Sequence, residues 1–80
     1  MFNFLVKEAK YIEDYKVWIK FNDNKAGVIN LEKELHGKVF EPLNDINYFK
    51  NFIINGHTLA WKNGADFVPE YLYKLITKSF

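Results

Sequence analysis

The amino-acid sequence predicts a single α+β domain over residues 1–80, in which an antiparallel sheet of about five strands carries two helices on one face. Three observations support this prediction. Apolar and polar residues alternate in the first half of the chain, an Asn-Gly pair separates two short apolar runs in the second half, and apolar residues recur at helical spacing near the end. The predicted order of elements is β-β-β-α-β-β-α.

The five predicted strands come in two groups, a three-stranded meander and a later hairpin. The strand at 16–21 alternates cleanly, so one of its faces is apolar and the other carries Lys16, Trp18 and Lys20. Clusters of Asn, Asp and Gly between the runs supply the turns. The remaining strands are predicted at 5–12, 25–31, 52–55 and 58–61.

The first predicted helix is short and lies in the middle of the chain. Asn44 or Asp45 caps it, and it runs through Asn51. Just before it, the segment 39–43 is predicted to be extended, because Pro42 disfavours the α conformation in the residue that precedes it.

The second helix is predicted from Phe67 to Lys78 and has the stronger pattern. Asp66 is the predicted N-cap, and Pro69 falls in the first turn, where its missing N–H costs little. Glu70 near the start suits the positive end of the helix dipole. The apolar stripe expected to face the core consists of Val68, Leu72, Leu75 and Ile76.

The composition excludes several classes of function. The chain has no cysteine, which removes a disulfide scaffold, a thiolate metal site and a cysteine nucleophile together. Its net charge is +1 and it has no arginine, the side chain best suited to phosphate and guanine, so a nucleic acid is not expected as the main ligand. No apolar run approaches the roughly 20 residues that span a bilayer, and we expect a cytoplasmic protein without a membrane partner.

No combination of residues points to catalysis, and we expect a protein that is not an enzyme and has no metal or cofactor. His36 and His57 each lie beside a glycine and are interpreted as turn residues, because zinc requires about four ligands. Asp66 and Glu70 lie one helical turn apart and could share one face as an acid–base pair. Capping and compensation of the helix dipole explain both carboxylates more simply.

The tryptophans are the remaining candidates for a functional surface. Trp18 lies between two lysines on the polar face of its strand, where an exposed tryptophan would mark a contact with a protein partner or a second copy of the chain. The alternative for Trp18 is packing beneath a loop or a terminus. For Trp61 we expect a place in the core rather than in a ligand cage formed with nearby tyrosines.

The stretch from Trp61 to Tyr73 resembles the C-terminal signature of the domain of unknown function 2442 family, which reads roughly W-x-N-G-A-D-x-x-P-E-x-L-Y. Segments 15–23, 27–31 and 40–43 resemble the second strand and the middle of the same family, so the resemblance covers nearly the whole chain. We interpret the signature as mostly structural. Its residues here are Trp61, Asn63, Gly64, Ala65, Asp66, Pro69, Glu70, Leu72 and Tyr73.

The resemblance implies a small bacterial protein without defined catalytic residues, often encoded beside another small protein in pairs that resemble toxin–antitoxin modules. One hypothesis is therefore a non-catalytic interaction module, the antitoxin-like partner in such a pair, that binds through Lys16, Trp18 and Lys20. The alternative is an accessory transcriptional regulator or nucleic-acid-linked protein without its own helix-turn-helix. This alternative predicts that Lys7 and Lys10 join the other lysines in one basic patch. A third hypothesis, a small-molecule binder near Trp61, requires a pocket.

Overall fold

The computed structural model describes residues 4–77 and confirms the α+β class, the five strands and the order of elements. The strands are β1 (Val6–Glu13), β2 (Lys16–Phe21), β3 (Ala26–Asn30), β4 (Ile53–Asn55) and β5 (Thr58–Ala60). They form two antiparallel sheets: β1, β2 and β3 pair in that order in the larger one, and β4 pairs with β5 in the smaller one. The order of elements alone does not determine this division.

The helical elements are short. Within residues 4–77, two are α-helices, α1 (Ile46–Phe49) and α2 (Pro69–Thr77), and two are 3₁₀ helices, Glu32–Glu34 and Lys38–Asn44. The predicted end of the last helix at Lys78 lies outside the described residues.

The strand β2 forms the centre of the larger sheet and has the two faces that the alternation predicts. Tight turns connect it to its neighbours, and in them Asp14 and Asn24 adopt φ values of 47° and 72°. Asp and Asn tolerate this left-handed conformation better than most residues, which is why these turns need no glycine. The fully buried residues of the inward face are Val17, Ile19 and Phe21.

The core lies between the inward face of the larger sheet and a layer made of α1, the β4–β5 hairpin and α2. Phe49 of α1 is fully buried, and its ring centroid lies 5.2 Å from that of Tyr15 and 6.4 Å from that of Tyr11. On the other side, Ile76 of α2 packs against β3 at Gly27, where an added Cβ would lie 3.3 Å from the Ile76 Cβ. A glycine at this position therefore allows the close approach of helix and sheet.

The segment predicted to be extended before α1 is instead the 3₁₀ helix Lys38–Asn44, and that prediction was wrong. Pro42 lies inside this helix, where its φ near −65° fits 3₁₀ geometry and its carbonyl accepts the Asp45 N–H at 3.2 Å. The restriction that a proline places on the preceding residue is a preference, and the complete burial of Leu43 outweighs it here. The predicted cap of α1 is present, since the Asp45 carboxylate accepts the Asn47 N–H at 3.0 Å.

Pro69 is the first residue of α2, as the first-turn prediction requires, but the predicted N-cap was wrong. Asp66 lies before the helix start and forms an isolated antiparallel bridge with Ala60, so this part of the chain continues along β5 instead of capping the helix. Val68 is consequently left 60% exposed and does not belong to the buried stripe. The remaining residues of the stripe are buried or half-buried: Leu72, Leu75 and Ile76.

The β4–β5 hairpin turns through Gly56 and His57, which have φ values of 61° and 65°. Two successive positive φ values define a type I′ turn, whose twist matches that of the flanking strands. The His57 carbonyl also accepts the Val6 N–H at 2.9 Å, which joins the turn to the start of β1. A histidine therefore occupies a conformation that glycine adopts without strain.

We expect His57→Gly to raise the free energy of unfolding by about 0.5–1 kcal/mol, because the left-handed conformation costs a non-glycine residue roughly 1–2 kcal/mol and glycine loses more entropy on folding. Thermal unfolding measures the gain. The matched control is His36→Gly, since His36 has no positive φ and the change should lower stability. A variant at His57 that melts below the original chain would contradict the turn geometry.

Candidate functional site

The candidate residues lie in two separate regions. The signature residues surround the end of β5 and the start of α2, in the layer that covers the inward face of the larger sheet. Lys16, Trp18 and Lys20 lie on the opposite face of that sheet, which we call the outer face. Because the buried residues of β2 separate the two regions, they do not form one site.

The Asn-Gly part of the signature forms a closed turn after β5. The Trp61 N–H donates to the Ala65 carbonyl at 2.9 Å, and the Gly64 N–H donates to the Trp61 carbonyl at 3.1 Å. Gly64 has a φ of 92°, a value suited to glycine. The Asn63 side chain accepts the Ala65 N–H at 3.1 Å and donates to the Val39 carbonyl at 2.8 Å. The second bond connects the turn to the 3₁₀ helix Lys38–Asn44.

Trp61 lies in the core and links the elements around it. Its indole N–H donates to the Phe49 carbonyl at 2.8 Å, so the polar atom of this buried side chain has a partner at the end of α1. Its ring centroid lies 5.8 Å from that of Phe49, 5.9 Å from that of Phe67 and 6.5 Å from that of Phe52. The side chain is enclosed by protein and does not line a ligand cage.

The two carboxylates of the signature do not form an acid–base pair. Asp66 is exposed and lies on the bridge to β5, whereas Glu70 is exposed on the first turn of α2. Neither side chain is buried, as one member of an acid–base pair would be. Pro69 begins the helix and Leu72 is fully buried beneath it, so these positions serve the architecture.

Tyr73 connects α2 to the turn between β2 and β3. Its hydroxyl donates to the Asp23 carboxylate at 2.7 Å, and its ring lies edge-on to Phe4 and Phe21. This hydrogen bond lowers the pKa of Asp23 and raises the pKa of Tyr73, because it stabilises the ionised carboxyl group and the protonated phenol. A similar bond from Tyr71 to Glu34 raises the pKa of Tyr71.

The outer face of the larger sheet consists of three cross-strand rows. Lys10, Trp18 and Val28 form the middle row, in which the Lys10 ammonium lies 5.5 Å from the centroid of the indole ring. Trp18 is half-buried and Val28 is 47% exposed. The other two rows flank the middle row and are Glu8, Lys20 and Ala26 on one side and Glu13, Lys16 and Asn30 on the other.

Lys10, Lys16 and Lys20 share the outer face, and glutamates lie beside the last two of them. Lys16 lies 3.4 Å from the Glu13 carboxylate, and Lys20 lies 3.9 Å from the Glu8 carboxylate. Charges of both signs therefore flank Trp18, and the face is not the basic patch that the nucleic-acid hypothesis predicts. Val28 and the two glutamates could not be assigned to this face from the sequence, because only the strand register shows that they lie beside β2.

Trp61 is itself buried and is not among the residues that line the surface depression nearby. This depression of about 240 Å³ is lined by Tyr48, Asn51 and Lys62, and it is smaller than typical ligand pockets of roughly 300–1,000 Å³. Among residues 4–77, no group of three or more His, Asp or Glu side chains is arranged to hold a metal ion. Nor does any helix within those residues have the length and apolar character needed to cross a membrane.

The fold defines a class of small α+β domains in which a three-stranded meander packs against short helices and a hairpin. In this chain a closed turn that begins at a buried tryptophan follows the hairpin. A scan against protein-family models matches residues 6–78 to the family described as protein of unknown function (DUF2442), and the chain belongs to that family. The resemblance stated from the sequence is thereby confirmed. Searches of curated proteins and of solved structures gave no match.

We expect the stability difference between the original chain and Tyr73→Phe to depend on pH. The lowered pKa of Asp23 means that its bond contributes above about pH 4 and is lost as the pH falls through the folded-state pKa. The raised pKa of Tyr73 means that the contribution is present below about pH 10 and is lost as the pH rises through the folded-state pKa.

Urea unfolding of both proteins, at pH values between about 4 and 10 and outside this range, measures the difference in their free energies of unfolding. The control is the same Tyr73→Phe change in an Asp23→Asn background, where no carboxylate is present and the acid limb should vanish. If Tyr73→Phe changes stability equally at every pH, the hydrogen bond does not contribute as described.

Proposed function

We propose that this chain is a non-catalytic protein-interaction module, the antitoxin-like partner in a two-gene pair, and that it binds its partner through the outer face. The observation that carries the proposal is the position of Trp18. A large aromatic side chain lies half-buried in the middle of a sheet face, beside Val28, which is 47% exposed. Tryptophan is enriched at interface centres, where its burial contributes strongly to binding.

The arrangement around Trp18 has the anatomy of a small interface. Trp18 and Val28 supply an apolar centre, and Lys10 together with the ion pairs on both sides supplies a polar rim. Exposed ion pairs contribute only about 0–1 kcal/mol to folding, so Lys16 and Lys20 can exchange their glutamates for groups of a partner at small cost. The rim can therefore select a partner with charges of both signs.

The mixed charge is also the reason for preferring a protein partner over a nucleic acid. A phosphate backbone would approach Glu8 and Glu13 together with the lysines that they contact, and those carboxylates would oppose it. The regulator hypothesis lacks a supporting observation in the rest of residues 4–77, and we do not propose it. The antitoxin-like role rests on the pairing of neighbouring genes that the family resemblance implies.

We expect Trp18→Ala to weaken binding to the partner by about 2 kcal/mol or more, roughly thirtyfold in Kd, as for a tryptophan at an interface centre. The tagged chain is used to enrich its partner from the native host, with the product of the adjacent gene as the first candidate. Kd is then measured by calorimetry with both proteins purified. Partner binding should survive Tyr48→Ala, which truncates another half-buried aromatic residue away from the outer face.

Circular dichroism of both variants establishes that they remain folded. The proposal fails if the partner binds Trp18→Ala as tightly as the original chain. It also fails if Tyr48→Ala removes binding and Trp18→Ala does not, since the depression beside Tyr48 would then be the binding surface.

A further inference from the structure

The two edges of the larger sheet differ in how well they are protected. Along β1, the pairing with β2 shifts register twice, between Val6 and Glu8 and between Tyr11 and Glu13. The hairpin turn also covers the start of this edge, since the Val6 N–H is bonded to the His57 carbonyl. Bulges and covering segments of this kind prevent a further strand from pairing. The edge formed by β3 has a continuous register without any shift.

The free edge of β3 presents hydrogen-bonding groups at alternate residues. At its two ends, the Lys25 carbonyl accepts the Phe21 N–H of β2, and the Leu31 N–H donates to the carbonyl of Tyr15, just before β2. Because bonded and non-bonded pairs alternate in an antiparallel ladder, the backbone groups of Ala26, Val28 and Asn30 point away from β2. Within residues 4–77 these groups form no backbone hydrogen bond to another segment.

The sequence of β3 contains none of the usual protective devices. Its five residues, Ala26–Asn30, include no charged residue and no proline. Val28, at the middle of the strand, is β-branched and 47% exposed. Such an edge can form backbone hydrogen bonds with a strand of another chain.

We propose that β3 pairs with β3 of a second copy of this chain, in antiparallel register about a two-fold axis at Val28. In this register Val28 lies opposite Val28 of the second copy, and Ala26 lies opposite Asn30. Every outward N–H and C=O of the three edge residues then has a partner, because all of them fall in hydrogen-bonded pairs. A two-fold axis through the middle of the strand makes the interface self-complementary and closed.

The same register aligns the outer faces of the two copies. The middle rows of the two outer faces also join, with Val28 of each copy between the two Trp18 side chains. The dimer thus has one six-stranded sheet and leaves the outer face accessible. This inference does not rest on the proposed partner, and either can fail alone.

The mass of the full chain in solution tests the pairing. A dimer of the 9.5 kDa chain has about twice that mass by light scattering or sedimentation. We expect Val28→Lys to raise the Kd of the dimer by about tenfold or more, because two like charges would lie directly opposite each other on the two-fold axis. The matched control is Val39→Lys, the same change at a valine that is 44% exposed and lies outside β3. This control should remain dimeric.

A charge-swap experiment makes the test specific for the axis at Val28. Val28→Glu alone should also be monomeric, whereas an equimolar mixture of Val28→Glu and Val28→Lys should restore a dimer, since unlike charges then meet. Circular dichroism of each variant confirms that it is folded. The inference is overturned if the original chain is monomeric at about 100 μM. An open series of oligomers, or a mixture that stays monomeric, would overturn it as well.

Discussion

The fold depends on the burial of Trp61 and on the hydrogen bond that its indole N–H donates to the Phe49 carbonyl. A domain of this length buries only about 60–65% of the surface of its unfolded chain, so each large buried side chain contributes a substantial share of the stability. Trp61 joins the end of β5 to α1 through this bond, and its ring contacts Phe67 ahead of α2. Without the Trp61 side chain, α1 and the segment that leads into α2 would lose the residue that both of them contact.

Much of the signature supports this one arrangement. Asn63 and Gly64 close the turn that begins at Trp61, Ala65 is small enough to be buried there, and the next residues form the bridge to β5. The chain can then enter α2 at Pro69. Within this stretch Trp61, Ala65 and Leu72 are buried, whereas Asp66 and Glu70 are exposed. The proposed binding surface lies on the opposite side of the larger sheet. Membership of the family consequently defines the architecture without defining the partner.

The alternation along β2 was sufficient to predict its bounds and its two faces, because burial of one face follows directly from the period of a strand. The neighbours of Trp18 could not be predicted in this way. That Val28 and Lys10 lie beside it depends on turn lengths and on two bulges in β1. Local rules also failed at Pro42 and at Asp66, where burial of Leu43 and pairing with Ala60 decided the conformation. In each case a tertiary contact outweighed a local preference.

The central claim is that the two tryptophans have different roles, Trp61 in the fold and Trp18 at the surface. The most direct test is urea unfolding of Trp61→Phe and Trp18→Phe under identical conditions. Trp61→Phe removes the donor to the Phe49 carbonyl and leaves a small cavity, so it should lower the free energy of unfolding by about 2–4 kcal/mol. Trp18→Phe should lower it by less than about 1 kcal/mol. Equal losses, or a larger loss at Trp18, would contradict this account.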